Sequence, residues 1–250
     1  MDAAGTVEVV GPAVTHVKPG DDVFGSRSGA FAEYLSGRNF VSMPAGLTFG
    51  EAAAVPTAGM TALQAVRDQA RVQAGQRVLV NGAGGGVGTF AVQIAKSLGA
   101  EVTAVTNTAN LDLVSSLGAD HIVDHTRDDF TRAGPSYEVI LDPGGTRSIL
   151  DLRRTVTGDG TVVLIGPGNG QWIGPIARMA GAVVASRLGN RRVVFFLAKV
   201  NKDDLLVLKA LIEEGKVRPV VDRTYSLADT ADAVRYMEAG RVRGKVVITV

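Results

Sequence analysis

Residues 78–88 read Val78-Leu79-Val80-Asn81-Gly82-Ala83-Gly84-Gly85-Gly86-Val87-Gly88, an apolar run that ends in glycines. A stretch of this kind suits one piece of chemistry. Glycine clears side chains from the path of a bulky anion, so backbone N–H groups can point at it. A helix starting there adds the positive end of its dipole. Gly82, Gly85 and Gly88 recur every third residue, which permits a tight turn, close approach of a phosphate, and close packing of helix on strand. Phe90, Ala91, Ile94, Ala95 and Leu98 then mark one face of an expected helix. A glycine-rich turn can also simply pack. Here a strand precedes it, a helix follows, and a second β-branched run at 102–106 comes next in register. That context points to a dinucleotide pyrophosphate site made of Gly82, Ala83, Gly84, Gly85, Gly86, Val87 and Gly88.

The kind of dinucleotide is read at the end of the second strand. An acid there, about 20 residues past the glycines, would accept a hydrogen bond from the ribose 2′-OH and mark NAD. The chain has Thr106-Asn107-Thr108-Ala109-Asn110, with neither an acid nor an Arg or Lys. A neutral polar loop tolerates a 2′-phosphate and can hydrogen-bond it, so NADPH is expected. NADH is the alternative, and a solvated loop with no discrimination is a third reading.

The elements that must position this turn follow from pattern. Short β-branched runs at 78–81, 102–106, 122–124, 139–142 and 162–165 alternate with helical periods at 88–98, 111–117 and 148–156. Strand and helix at this spacing predict an α/β fold: a doubly wound parallel sheet with helices on both faces. The opening differs. Strand-like runs at 6–10, 22–24 and 31–35, with turn chemistry at Lys18-Pro19-Gly20-Asp21, predict a small β-rich part. Two helices are expected at 51–55 and 61–66, broken by Pro56 and Gly59. Asn201 is expected to cap a helix ended by Gly215, Ser226 a second one closed by Gly240, and residues 245–250 to form a last strand.

Composition excludes several classes. The 250 residues include 26 Lys and Arg against 25 Asp and Glu, so no basic stripe marks a nucleic-acid partner. No cysteine is present, which removes disulfides and every cysteine-containing zinc site within this chain. Residues 172–188, the most lipid-like stretch, are interrupted by Pro175, Arg178 and Arg187 and fall short of a membrane span. A buried helix is the better reading there. The start lacks the basic and apolar pattern of a signal peptide, and a cytoplasmic location is expected.

The motifs together resemble the zinc-independent quinone oxidoreductase branch of the medium-chain dehydrogenase/reductase superfamily. They are Met1-Asp2-Ala3-Ala4-Gly5 with Val9-Val10-Gly11, Lys18-Pro19-Gly20-Asp21-Asp22-Val23-Phe24-Gly25, Glu51 through Pro56 with Gly59-Met60-Thr61-Ala62, the glycine turn, Gly118-Ala119-Asp120-His121, and Arg243-Gly244-Lys245-Val246-Val247. The resemblance implies a Rossmann domain at 51–217 and a GroES-like small domain at 1–50 and 218–250, with cofactor and substrate between them. It implies that Thr61, Leu164, Ile165, Gly166 and Phe196 border the nicotinamide. Thr106, Asn107 and Asn110 line the adenosine-ribose side, and Lys245 sits near the cofactor. His125 stands where relatives often have an aromatic residue and is expected as a partly buried packing residue. Zinc-dependent relatives carry a His-Glu pair where this chain has Met1-Asp2, and a cysteine near Pro56, so no metal site is implied. Relatives also enter the small domain by an N-terminal run of strands not found here, so that domain is expected to be incomplete.

The resulting expectation is an NADPH-dependent, metal-independent oxidoreductase that passes hydride to a quinone or to the β-carbon of an enone, acting as a homodimer. No catalytic residue is assigned. Tyr34 and Thr61 are conceivable proton donors, Tyr34 more naturally a packed strand residue. The rival is a catalytically silent NADP(H)-binding module, left by loss of the N-terminal part of the small domain.

Overall fold

Strand β1 (Asp2–Thr6) pairs antiparallel with β2 (Asp22–Ser26), and β2 with β3 (Phe40–Ser42), in a three-stranded sheet. The computed structural model describes residues 2–132, 136–166, 180–182, 185–186 and 189–250. The expected strand at 6–10 lies one segment too late. Pairing ends at Thr6 opposite Asp22, because the chain leaves for the turn in which Asp21 N donates to Lys18 O and Lys18 N to the Asp21 carboxylate. The expected strand at 31–35 does not form. Its alternation has no partner strand, and Phe31 and Tyr34 stand exposed rather than packed.

Thr48 caps α1 (Phe49–Ala53) in a reciprocal capping box with Glu51. Pro56 opens α2 (Pro56–Gln64), the position where its missing N–H costs nothing. Gly59 does not break this helix. A Cβ there would lie 3.0 Å from Leu208 Cδ1, so the glycine makes room for a packed leucine. A π-helical turn, Ala65–Ala70, continues α2 and ends at Arg71 in the left-handed region, φ 55°.

The main sheet is parallel and six-stranded. Its members are β4 (Arg77–Asn81), β5 (Glu101–Thr106), β6 (His121–Asp124), β7 (Tyr137–Asp142), β8 (Val156–Ile165) and β9 (Arg192–Phe196), in spatial order β6-β5-β4-β7-β8-β9. Helix α3 (Gly86–Ser97) links β4 to β5, α4 (Leu111–Ser116) links β5 to β6, and α5 (Ile149–Thr155) precedes β8. The central strands read as continuous Val, Ile and Leu because both faces are covered. Leu79, Ile140, Leu152, Val162 and Leu164 are fully buried together on the sheet. Residues 88–95 of α3 are buried all round, while Leu98, expected on the apolar face, is the C-cap and 41% exposed.

Asn201 caps α6 (Lys202–Glu213) through its carbonyl oxygen, which accepts from Asp204 N at 2.8 Å. Strands β10 (Val221–Ser226) and β11 (Lys245–Thr249) pair parallel, with α7 (Thr230–Glu238) between them in sequence. Ser226 does not cap α7; its hydroxyl donates to Asp229 across a 3₁₀ turn that comes first. The chain divides into two compact units, residues 1–60 with 199–250, and residues 61–198. The expected boundaries at 50 and 218 differ from this. Residues 51–60 and 199–217 belong with β1–β3, since Leu208 packs at Gly59, Lys209 bonds Met43 O and Glu213 bonds Ala45 N. Residues 172–188 fall largely outside the described residues. Among the described residues no helix is long and apolar enough to cross a membrane.

Phe90 is wholly buried in α3. Phe90→Ala is expected to lower stability by about 3–5 kcal/mol through lost transfer energy and a residual cavity, measured by denaturant unfolding followed by circular dichroism.

Candidate functional site

Strand β4 ends at Asn81, and the backbone turns at Gly82 with φ +92°. Only glycine takes this conformation without strain. The N–H groups of Gly82 and Ala83 both donate to Val105 O at 3.0 Å, and Gly85 N donates back to Gly82 O. The turn closes on itself at Gly88, where a Cβ would fall 2.1 Å from Gly82 O and 2.7 Å from Ala83 Cα. Gly88 therefore carries the close packing of α3 on the turn. Gly85, the N-cap, is different: a Cβ there would meet only Gly82 O, at 3.5 Å. Its open side faces away from protein, as a phosphate site requires.

No side chain caps α3 and no acid stands in its first turn. The first-turn amides have no partner within a helix by geometry, so Gly86, Val87 and Gly88 present donors and a positive dipole end. Thr106 and Asn110 are brought directly over the turn. A Cβ at Gly84 would lie 2.8 Å from Thr106 Oγ1 and 2.5 Å from Asn110 Nδ2. Asn107 Oδ1, next to Thr106 in the chain, is buried with no hydrogen-bond partner among the described residues. A cradle that Cβ atoms would fill, free first-turn donors and an orphaned acceptor together fit a bound dinucleotide.

On the other side of β4, sequence reasoning missed a polar cluster. Asn81 Nδ2 donates to the fully buried Asp142 at 2.7 Å, and Gly145 N donates to the same oxygen at 3.1 Å. Gly144 N bonds Asn81 O, and a Cβ at Gly82 would lie 3.0 Å from Gly144 Cα. The signal was present as Asp142-Pro143-Gly144-Gly145, glycines at the end of β7 just as at the end of β4. The reversal of strand order falls between these two strand ends, where open parallel sheets bind ligands.

Leu164 and Ile165 end β8, Ile165 pairs with Phe196 of β9, and Gly166 N donates to Phe196 O at 3.3 Å. These four residues are thus brought together at strand ends on the same edge as Gly82. Thr61 is buried in α2. Lys245 belongs to the other unit, where its ammonium lies 3.8 Å from Asp2, whose carboxylate accepts from Thr57 Oγ1 at 2.5 Å. His125 is exposed, not a packing residue, because the chain turns outward past β6 and only its backbone N–H bonds Thr106 O.

Asp124 ends β6 opposite Thr106 and is nearly buried. Thr108 Oγ1 donates to Oδ2 at 2.5 Å, and Thr126 donates to Oδ1 through Oγ1 at 2.7 Å and through N at 3.0 Å. The Thr108 hydroxyl, then that of Thr126, pulls the carboxyl down to about 2 from 3.8.

The sheet order amounts to 3-2-1-4-5-6, and with the glycine turn at its centre it defines a Rossmann-type dinucleotide-binding unit. The chain belongs to the zinc-binding dehydrogenase family, whose model matches residues 117–248. It is 34% identical over 259 residues to the pikromycin polyketide synthase component PikAII of Streptomyces venezuelae, covering 99% of this chain and 7% of that protein. It is 34% identical over 263 residues to the 2-methylene-furan-3-one reductase of Solanum lycopersicum, covering 99% of this chain and 62% of that one. The solved quinone oxidoreductase of Coxiella burnetii superposes with a TM-score of 0.87 at 31% identity, over 100% of this chain and 78% of that chain.

Two substitutions separate packing from ligand contact. Gly88→Ala is expected to lower the melting temperature and abolish dinucleotide binding. Gly85→Ala is expected to leave the melting temperature unchanged while weakening binding at least about tenfold, read by nicotinamide fluorescence. Asp124, depressed in the folded state, stabilises the fold above pH 3.8, and that contribution is lost as pH falls through about 2. The gap in melting temperature between wild type and Asp124→Asn is therefore expected to shrink as pH drops across that window.

Proposed function

We propose that this chain is a nicotinamide-dinucleotide-dependent reductase, working without a metal, that transfers hydride to a quinone or to the β-carbon of an enone. The observation that carries the reading is the open turn at Gly82–Gly88 on the strand-order reversal, where among the described residues no side chain caps α3. The relatives named as a quinone oxidoreductase and a furanone reductase support the acceptor class. Metal independence is supported by ligand chemistry. The chain has three histidines and no cysteine, so it supplies no sulfur ligand for zinc.

The dinucleotide, when bound, supplies the hydride. The chain's own residues hold and shield it. The first-turn amides of α3 bind the pyrophosphate, Thr106, Asn107 and Asn110 border the adenosine ribose, and Leu164, Ile165, Gly166 and Phe196 form an apolar border for the ring. Thr61, buried in α2, joins the cofactor set in this reading. Holding the ring against an electrophilic alkene and excluding water supplies the rate enhancement. The proton that completes reduction comes from solvent or a hydroxyl such as that of Thr61. The acid-free loop after β5 favours NADPH, whereas the hydroxyl–carboxylate network at Asp124 favours NADH. Two copies pair in this reading through the outer edge of β9, which among the described residues is bonded only on its β8 side.

Protein saturated with either dinucleotide is expected to oxidise it when offered a panel of enones and quinones, followed at the nicotinamide absorbance. Binding with no turnover on any of them would leave a silent dinucleotide-binding module.

A further inference from the structure

The rule that reads cofactor choice looks for an acid on the second strand of the sheet, and here that position is neutral. The structure places an acid beside it from the neighbouring strand. Asp124 is paired in register with Thr106, and its carboxylate reaches into the loop after β5 to accept a hydrogen bond from Thr108 Oγ1. The same carboxylate accepts from Thr126, whose Oγ1 lies 3.1 Å from Thr108 Oγ1.

A hydroxyl has one proton and two acceptor positions. With the Thr108 proton committed to Asp124, what Thr108 presents elsewhere is lone pairs. Asn107 Oδ1, one residue earlier, is a buried acceptor without a partner. The adenosine-ribose side therefore presents these acceptors beside the amide donors of Asn107 and Asn110. A ribose 2′-OH brings the donor that the acceptors need. A 2′-phosphate brings only acceptor oxygens and up to two negative charges at neutral pH.

The local charge decides in the same direction. Arg127 lies against this cluster, with Nε 3.8 Å from Asp124 Oδ2 and the side chain 74% exposed. That cation is already paired with Asp124 and is not a free partner for a dianion. The carboxyl, held down near 2 by the Thr108 and Thr126 hydroxyls, is ionised throughout the neutral range.

We infer that Asp124 is a positioning residue for cofactor choice: by accepting from the Thr108 hydroxyl it turns the lone pairs of that hydroxyl toward the ribose 2′-OH, so that the chain favours NADH over NADPH. This rests on the dinucleotide reading above and replaces the NADPH preference expected from the β5 loop alone.

The test is fluorescence titration of the intact chain with NADH and NADPH, for wild type, Asp124→Asn and Thr108→Val. Wild type is expected to bind NADH more tightly. An amide at position 124 can donate to Thr108 and free its proton, so Asp124→Asn shifts the affinity ratio toward NADPH by about tenfold. Thr108→Val keeps the shape and removes the acceptor, lowering NADH affinity with little change for NADPH. A merely structural role would weaken both cofactors by the same factor in both variants, and that result overturns the inference. So does wild-type preference for NADPH. Should Asp124→Asn fail to fold by circular dichroism, Thr108→Val alone decides. If wild type binds neither dinucleotide, the cofactor reading itself falls, an outcome distinct from binding with an unmoved ratio.

Discussion

Gly88 approaches the Gly82 carbonyl so closely that a single added carbon would sit 2.1 Å from the oxygen. That contact sets how near α3 can lie to the end of β4, and much else depends on it. It lets the first turn of the helix stand over the strand end with its amides free. It also holds Gly84 against Thr106 and Asn110, which ties the β5 loop to the same turn. The close approach on the far side, Gly82 to Gly144, joins β7 to this arrangement through Asn81 and Asp142. The turn is thus open because three backbones meet where no side chain intervenes.

The polar groups near the cradle divide by partner. Asn81 and Asp142 satisfy one another and the loop after β7, so they hold strands and leave little to offer a ligand. Asp124 satisfies Thr108 and Thr126 and in doing so fixes which way their hydroxyls face. Among the described residues Asn107 Oδ1 has no partner, as is also true of Arg153 Nε and Thr157 Oγ1. Buried polar atoms without partners are costly, and beside an open glycine turn a ligand can supply the missing donor. The family name includes zinc, yet the residue types that hold zinc with sulfur are absent from this chain. Binding and orientation of a dinucleotide therefore carry the functional reading.

Legibility followed physical range. The parallel strands β4, β5, β7 and β8 were visible because burial on both faces turns them into runs rich in β-branched residues. Asn201 and Gly215 were visible because a cap acts over three or four residues. Residues 31–35 misled for the converse reason: alternation describes a half-buried strand only if another strand pairs with it, and none does. Gly59 misled because its role is contact with Leu208, far away in sequence. Ser226 has the right residue type for a cap, but the 3₁₀ turn after it shifts the α-helix three residues on.

By itself the sequence determined the glycine turn, the alternation of strand and helix, and the want of cysteine ligands, since each depends on residue type within a short span. Tertiary structure alone decided what stands around the turn. Strand order brought β7 and its buried Asp142 to one side, and the pairing of β5 with β6 brought Asp124 to the other. An acid on the third strand cannot be found by counting from the glycines, because its distance from them is set by hydrogen bonds across the sheet and not by the chain between.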